Sequence, residues 1–83
     1  MVDKFFINLK KQILHRTANI FFDDIISSRT LETGDVRRRL ALFLSFNKKT
    51  SQKFLIYLNN NNLAELKNHH IVFSKDMLKY QKR

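Results

Sequence analysis

The chain has 83 residues, with 16 Lys+Arg against 7 Asp+Glu, a formal charge of +9 and a pI near 10.3. At this length one domain is expected, and 43% hydrophobic residues, eight of them Phe, set it apart from disordered compositions. The absence of Cys excludes a disulfide framework and every thiolate zinc site, and is compatible with a reducing, intracellular compartment.

The longest apolar runs, Leu40–Leu44 and Phe54–Leu58, are five residues each, far short of the roughly 20 that a membrane span needs. Phe5-Phe6-Ile7 is too brief for the apolar region of a signal peptide. No membrane association is expected, and the location predicted is cytoplasmic (nucleoid-associated) or otherwise intracellular. One Gly and no Pro predict short connections and a mainly helical chain, with a thin core at this size.

Residues 3–27 read as one long helix. Phe6, Leu9, Ile13 and Ile20 form one apolar stripe, and Ile7, Leu14, Phe21 and Ile25 a second. Two stripes exceed what one packing partner normally covers. Residues 1–30 are therefore expected to act as a dimer or partner arm, with Phe5, Phe6, Leu9 and Ile13 at the contact. Ser27-Ser28-Arg29-Thr30 loosens the pattern, and Thr33-Gly34-Asp35 marks a turn.

A second helix follows from about Asp35 to Phe46, capped by Thr33 or Gly34, with Asp35 suiting its positive end. Val36, Leu40, Phe43 and Leu44 form its buried stripe, and Arg37, Arg38 and Arg39 fan over the opposite surface. Asn47-Lys48-Lys49 reads as a tight polar connection. The third helix starts at a Thr50/Ser51 cap and runs to about Asn61, and Asn62 offers the left-handed backbone that ends helices.

Beyond Asn62 the period changes to two. Leu63–Leu66 and Ile71–Phe73 flank Lys67-Asn68-His69-His70, with Asn68 where a tight turn favours positive φ. These segments predict a small antiparallel hairpin. The basic tail, 75–83, either adds one capped helical turn around Met77 and Leu78 or frays. The fold class expected is mainly α with a small β-hairpin (α+β).

Charge is unevenly distributed. Residues 1–34 hold five Lys/Arg and four acids, net +1, whereas residues 35–83 hold eleven Lys/Arg and three acids, net +8. An acidic surface is the natural partner for the second part, and nucleic acid is the commonest such surface.

Helix, tight turn, helix, left-handed Asn and hairpin: this order resembles the winged helix-turn-helix family over residues 33–74. The stretch that carries the resemblance runs from Lys48 to Leu66, with Ser51, Phe54, Leu55 and Leu58 in core positions and Asn62 in place of the family's usual Gly. The resemblance implies one winged-helix domain over 1–83, whose third helix is the recognition helix and whose hairpin is the wing. It also implies a DNA-binding or protein-docking role, since winged helices serve both.

With the core positions inward, Lys49, Thr50, Gln52, Lys53, Ile56 and Tyr57 point outward. Lys48, Lys49 and Lys53 are candidates to neutralise phosphates, with Arg37, Arg38, Arg39 and Lys67 alongside. Thr50, Gln52 and Tyr57 are candidates to approach base edges in a major groove wide enough for a helix. Asn68, His69 and His70 at the hairpin tip are placed to meet the adjacent backbone or minor groove. Six or seven phosphate contacts correspond to a slope of about −5 to −6 in log K against log salt. Ile56 fits either a thymine methyl or a protein partner.

Other signals reach no site. His69-His70 are adjacent in a turn and make a poor metal pair. Asp23 and Asp24 point about 100° apart on a helix, cannot act as an acid/base pair, and more naturally offset nearby Arg residues or face a partner. Gly34 alone makes no phosphate loop, and no nucleophile-and-base arrangement exists. No enzyme, cofactor, metal or small-molecule ligand is expected. The leading expectation is a small basic protein binding double-stranded DNA, as regulator or architectural factor and as a homodimer. The alternative is a non-catalytic accessory subunit docked on a DNA or RNA polymerase, a larger replication or transcription protein.

Overall fold

A computed structural model describes residues 4–81, with side chains from Lys11 to Gln81. The elements run α1 (Lys4–Ile20), α2 (Phe22–Ile26), β1 (Thr30–Glu32), α3 (Thr33–Leu44), α4 (Lys48–Asn60), β2 (Ala64–Lys67), β3 (His70–Phe73) and a 3-10 helix (Lys75–Tyr80). The protein is mostly helical with one small antiparallel sheet, the α+β class expected. Among the described residues no helix is long and apolar enough to cross a membrane.

The single helix expected over 3–27 is two. Phe21, at φ −106° and ψ 20°, leaves helical geometry, yet the Phe21 N to Thr17 O and Ile25 N to Phe21 O bonds continue across it at 3.0 and 2.9 Å. That continuity is why the periodicity ran unbroken. Thr17, fully buried, donates its Oγ1 to Ile13 O at 2.7 Å, a back-bond of the kind that bends helices. The Phe21 ring lies 4.9 Å from that of Phe73, which ties the bend to the sheet.

Both stripes of α1–α2, where described, face the chain's own core. Ile13, Leu14, Ala18, Phe21 and Ile25 are buried, and the neighbours of α1 are the 3-10 helix, α3 and α2. Two stripes needed two covers, and the fold supplies both from its second part. Ile13, at 6% exposure, is thus a core residue and not a partner contact. Phe5, Phe6 and Leu9 have side chains outside the described residues.

Strand β1 was not anticipated. It has three residues, with Leu31 inward, too few to display an alternation. It pairs with β3 (Leu31 opposite Ile71), and β3 pairs with β2 (Leu66 opposite Ile71), giving the order β1-β3-β2. Leu31, Ile71, Phe73 and Ala64 line the buried face, while Glu32, His70 and Lys67 form one row across the outer face.

Helix α3 starts at Thr33, directly after the strand, with Glu32 as N-cap, so Gly34 makes no turn and a Cβ there would meet nothing. The helix stops at Leu44 because Ser45 turns left-handed at φ 58°, and Phe46 N then reaches Leu40 O at 3.3 Å. This six-residue closure is of the Schellman kind. Phe46 is buried edge-on against Phe54 at 5.7 Å. The expected buried stripe holds at Val36 and Leu40, but Phe43 is 50% exposed beside Leu42 at 74%.

The inter-helix turn is therefore 45–47, and Lys48 and Lys49 belong to α4. Its cap is Asn47, whose Oδ1 accepts from Thr50 N at 2.7 Å, in place of Thr50 or Ser51. At the far end Asn62 is left-handed at φ 58°, and Leu63 N returns to Leu58 O at 2.9 Å. The hairpin turns through Asn68 at φ 51° and His69, as expected. Ser74 caps the 3-10 helix through Asp76 N, and Met77 is fully buried. The tail up to Tyr80 is part of the core, not a loose basic extension, and His15 Nδ1 donates to Tyr80 O.

Candidate nucleic-acid interface

Helix α4 is phased by its buried side. Ser51, Phe54, Leu55 and Leu58 are at most 1% exposed, so Lys49, Gln52, Lys53 and Ile56 stand on the opposite, exposed face with Lys48 at the first turn. The helix contains no acid. Its first turn carries two lysines at the positive end of the helix dipole, an arrangement that costs a few tenths of a kcal/mol per charge. An anion bound there removes that penalty and uses the same dipole.

Strand β1 brings the start of α3 against the hairpin. Thr33 N donates to His69 O at 2.8 Å, which pins the hairpin tip to α3. Across from it Arg37 Nη1 donates to Gln52 Oε1 at 3.4 Å, linking α3 to α4. Between the three elements lies a cleft of about 310 Å³ lined by Thr33, Arg37, Gln52, Leu66, Asn68 and His69. Four residues expected at the site, Arg37, Gln52, Asn68 and His69, are thus neighbours in space. Thr33 and Leu66 were missed, because only the unanticipated β1 pairing brings α3 and the hairpin together.

The remaining site residues divide. Lys48, Lys49 and Lys53 are exposed on α4 beside this cleft's Gln52. Lys67 sits on the outer face of the sheet, 3.6 Å from Glu65, in one row with His70 and Glu32. Arg38 is exposed and pairs with Asp35 at 3.0 Å. Thr50 is half-buried and its N–H serves the Asn47 cap.

Two assignments change. Arg39 turns away from the cleft: its Nη1 lies 2.9 Å from Asp24 Oδ2, and its guanidinium carbon 5.3 Å over the Phe21 ring. The Asp24 carboxylate, 6% exposed, also holds Arg29 at 3.6 Å, so this acid does offset nearby arginines. Tyr57 stacks on Phe54 (6.2 Å, 14°) and is half-buried. It lines a different cleft with Lys11, Leu14, Asn61, Lys79 and Tyr80. Burial pushes its hydroxyl above the ordinary value near 10.0, and Tyr80 adds to the shift. It is not placed with Thr50 and Gln52.

His69 and His70 present different surfaces, the cleft and the outer sheet face. Among the described residues no group of three or more His, Cys, Asp or Glu could hold a metal ion. Ile56, at 45%, is the exposed apolar residue of α4, and Ile26, Leu42 and Phe43 are exposed elsewhere. No protein-family model, curated protein or solved structure matches this chain.

Proposed function

We propose that the chain is a small basic winged helix-turn-helix module that binds double-stranded DNA, as a regulator or architectural factor. The element order helix, strand, helix, helix, hairpin, with the first strand joining the hairpin, supports the fold assignment. The observation that carries the functional reading is the acid-free α4, with exposed Lys48, Lys49 and Lys53 beside the Arg37–Gln52–His69 cleft. In this reading α4 enters the major groove, its lysines and Arg37 meet phosphates, and Gln52, with Thr50 behind it, approaches base edges. The hairpin tip follows the neighbouring backbone.

With Arg39 occupied by Asp24 and Lys67 on the outer sheet face beside Glu65, the phosphate set is Arg37, Arg38, Lys48, Lys49 and Lys53. Four or five contacts give a slope of about −3.5 to −4.5 in log K against log salt. The Lys49→Ala/Lys53→Ala double variant should lower the slope's magnitude by about 2 and weaken binding to all sequences alike. A duplex titration with a flat salt response overturns the reading.

The accessory-subunit reading is favoured by a separate observation, the exposure of Leu42 and Phe43 near the end of α3. Apolar side chains at that exposure suit a protein partner. Affinity capture from native cells separates the two: a stoichiometric polymerase supports the second, and only self-association with DNA fragments supports the first.

A further inference from the structure

The hairpin tip carries His69 on a backbone fixed by its 2.8 Å bond from Thr33 N, and the residue faces the cleft shared with Arg37, Gln52 and Asn68. No carboxylate lines that cleft. The residues lining it carry a guanidinium, two side-chain amides, a hydroxyl and an imidazole, a donor-rich set that fits a tetrahedral oxyanion. We propose that the cleft seats one backbone phosphate of bound duplex, and that His69 takes up a proton as the phosphate enters. The affinity for DNA is then coupled to pH. This inference rests on the nucleic-acid reading above.

The charges around the ring determine the direction. Arg37 faces it across the cleft, Lys49 and Lys53 stand on the Gln52 face of α4, and Lys67 precedes the turn with Glu65 at 3.6 Å. From α3, Asp35 is engaged by Arg38 at 3.0 Å. From the sheet, Glu32 is paired across from His70 on the outer face. A phosphodiester brings negative charge among these cations, and imidazolium offers it two N–H donors where the neutral ring offers one.

A phosphate seated in the cleft thus favours the protonated ring over the neutral one. By linkage, the added affinity is present at low pH and is lost as pH rises. One proton taken up on binding changes the affinity by at most about 10-fold per pH unit. His70, set between Glu32 and Lys67 on the other surface, makes an internal control, and His15 is engaged with Tyr80.

The test is fluorescence anisotropy with a labelled duplex of about 20 base pairs, at constant ionic strength, at about pH 6 and about pH 8. The full chain is expected to bind at least about fivefold tighter at the lower pH. His69→Gln should reduce that ratio to below about threefold while His70→Gln keeps most of it. Equal affinity at both pH values, or a ratio that survives in His69→Gln, overturns the inference while leaving duplex binding intact. Absence of binding at both pH values overturns the nucleic-acid reading and the inference with it.

Discussion

Asp24→Asn isolates the buried carboxylate that ties α2 to α3. The Asp24 side chain is 6% exposed and holds Arg39 at 2.9 Å and Arg29 at 3.6 Å, whose side chains are 42% and 65% exposed. Asn keeps the volume and one acceptor oxygen but removes the charge. A charge-assisted hydrogen bond contributes about 1.5–3 kcal/mol, and a neutral one about 0.5–1.5 kcal/mol. Water reaches both guanidiniums, so their side of the pair is largely re-solvated and the net loss is about 1–2 kcal/mol. For a domain of this size that lowers Tm by about 5–15 °C, measurable by circular dichroism and urea unfolding. The change also releases Arg39, which adds a cation. Duplex affinity, measured where the variant is folded, should therefore hold or rise. A stability loss under about 0.5 kcal/mol refutes the energetic reasoning. Weakened duplex binding by the folded variant refutes the placement of this pair outside the interface.

Two further outcomes follow from buried polar groups. Ser51 is 1% exposed with its Oγ unpartnered, so Ser51→Ala removes a desolvated hydroxyl that makes no bond. Its stability should be unchanged or higher by up to about 1 kcal/mol in urea unfolding, and a loss above about 1 kcal/mol contradicts this. The raised Tyr57 hydroxyl favours the neutral form in the folded state. That contribution is complete below the ordinary phenol range and declines as pH rises past about 10, where the unfolded chain ionises first. The chain has two Tyr and no Trp, so ultraviolet titration should show one phenol ionising late. Tyr57→Phe should flatten part of the alkaline loss in stability.

Elements were legible in the sequence where one residue type answers one geometric need. Asn62 and Asn68 both take the positive φ that Asn tolerates, and the spacing of Ser51, Phe54, Leu55 and Leu58 set the phase of α4. Ser45 takes the same left-handed backbone, but serine carries no such signature, so the end of α3 was placed two residues late. Asn47, Thr50 and Ser51 are all competent caps, and only the side chain's approach to Thr50 N distinguishes them. Strand β1 has one inward residue, and a period of two needs more. The contact that builds the cleft depends on this strand and leaves no mark of its own in the sequence. Arg39 looked equivalent to Arg37 and Arg38 along the chain. The roughly 100° step between helix positions turned it toward Asp24, an acid separated from it by the whole of β1.

The most direct test of the interface is an amide chemical-shift map of the uniformly labelled protein, titrated with a short duplex at low salt. The account predicts that the largest changes cluster at Asn47–Ile56 of α4, Thr33–Arg37 of α3 and Asn68–His69 of the hairpin tip. The amides of Ile13–Ile20 and Met77–Tyr80 should stay nearly still. Changes centred on α1 and the 3-10 helix, or no saturable change at all, would contradict it.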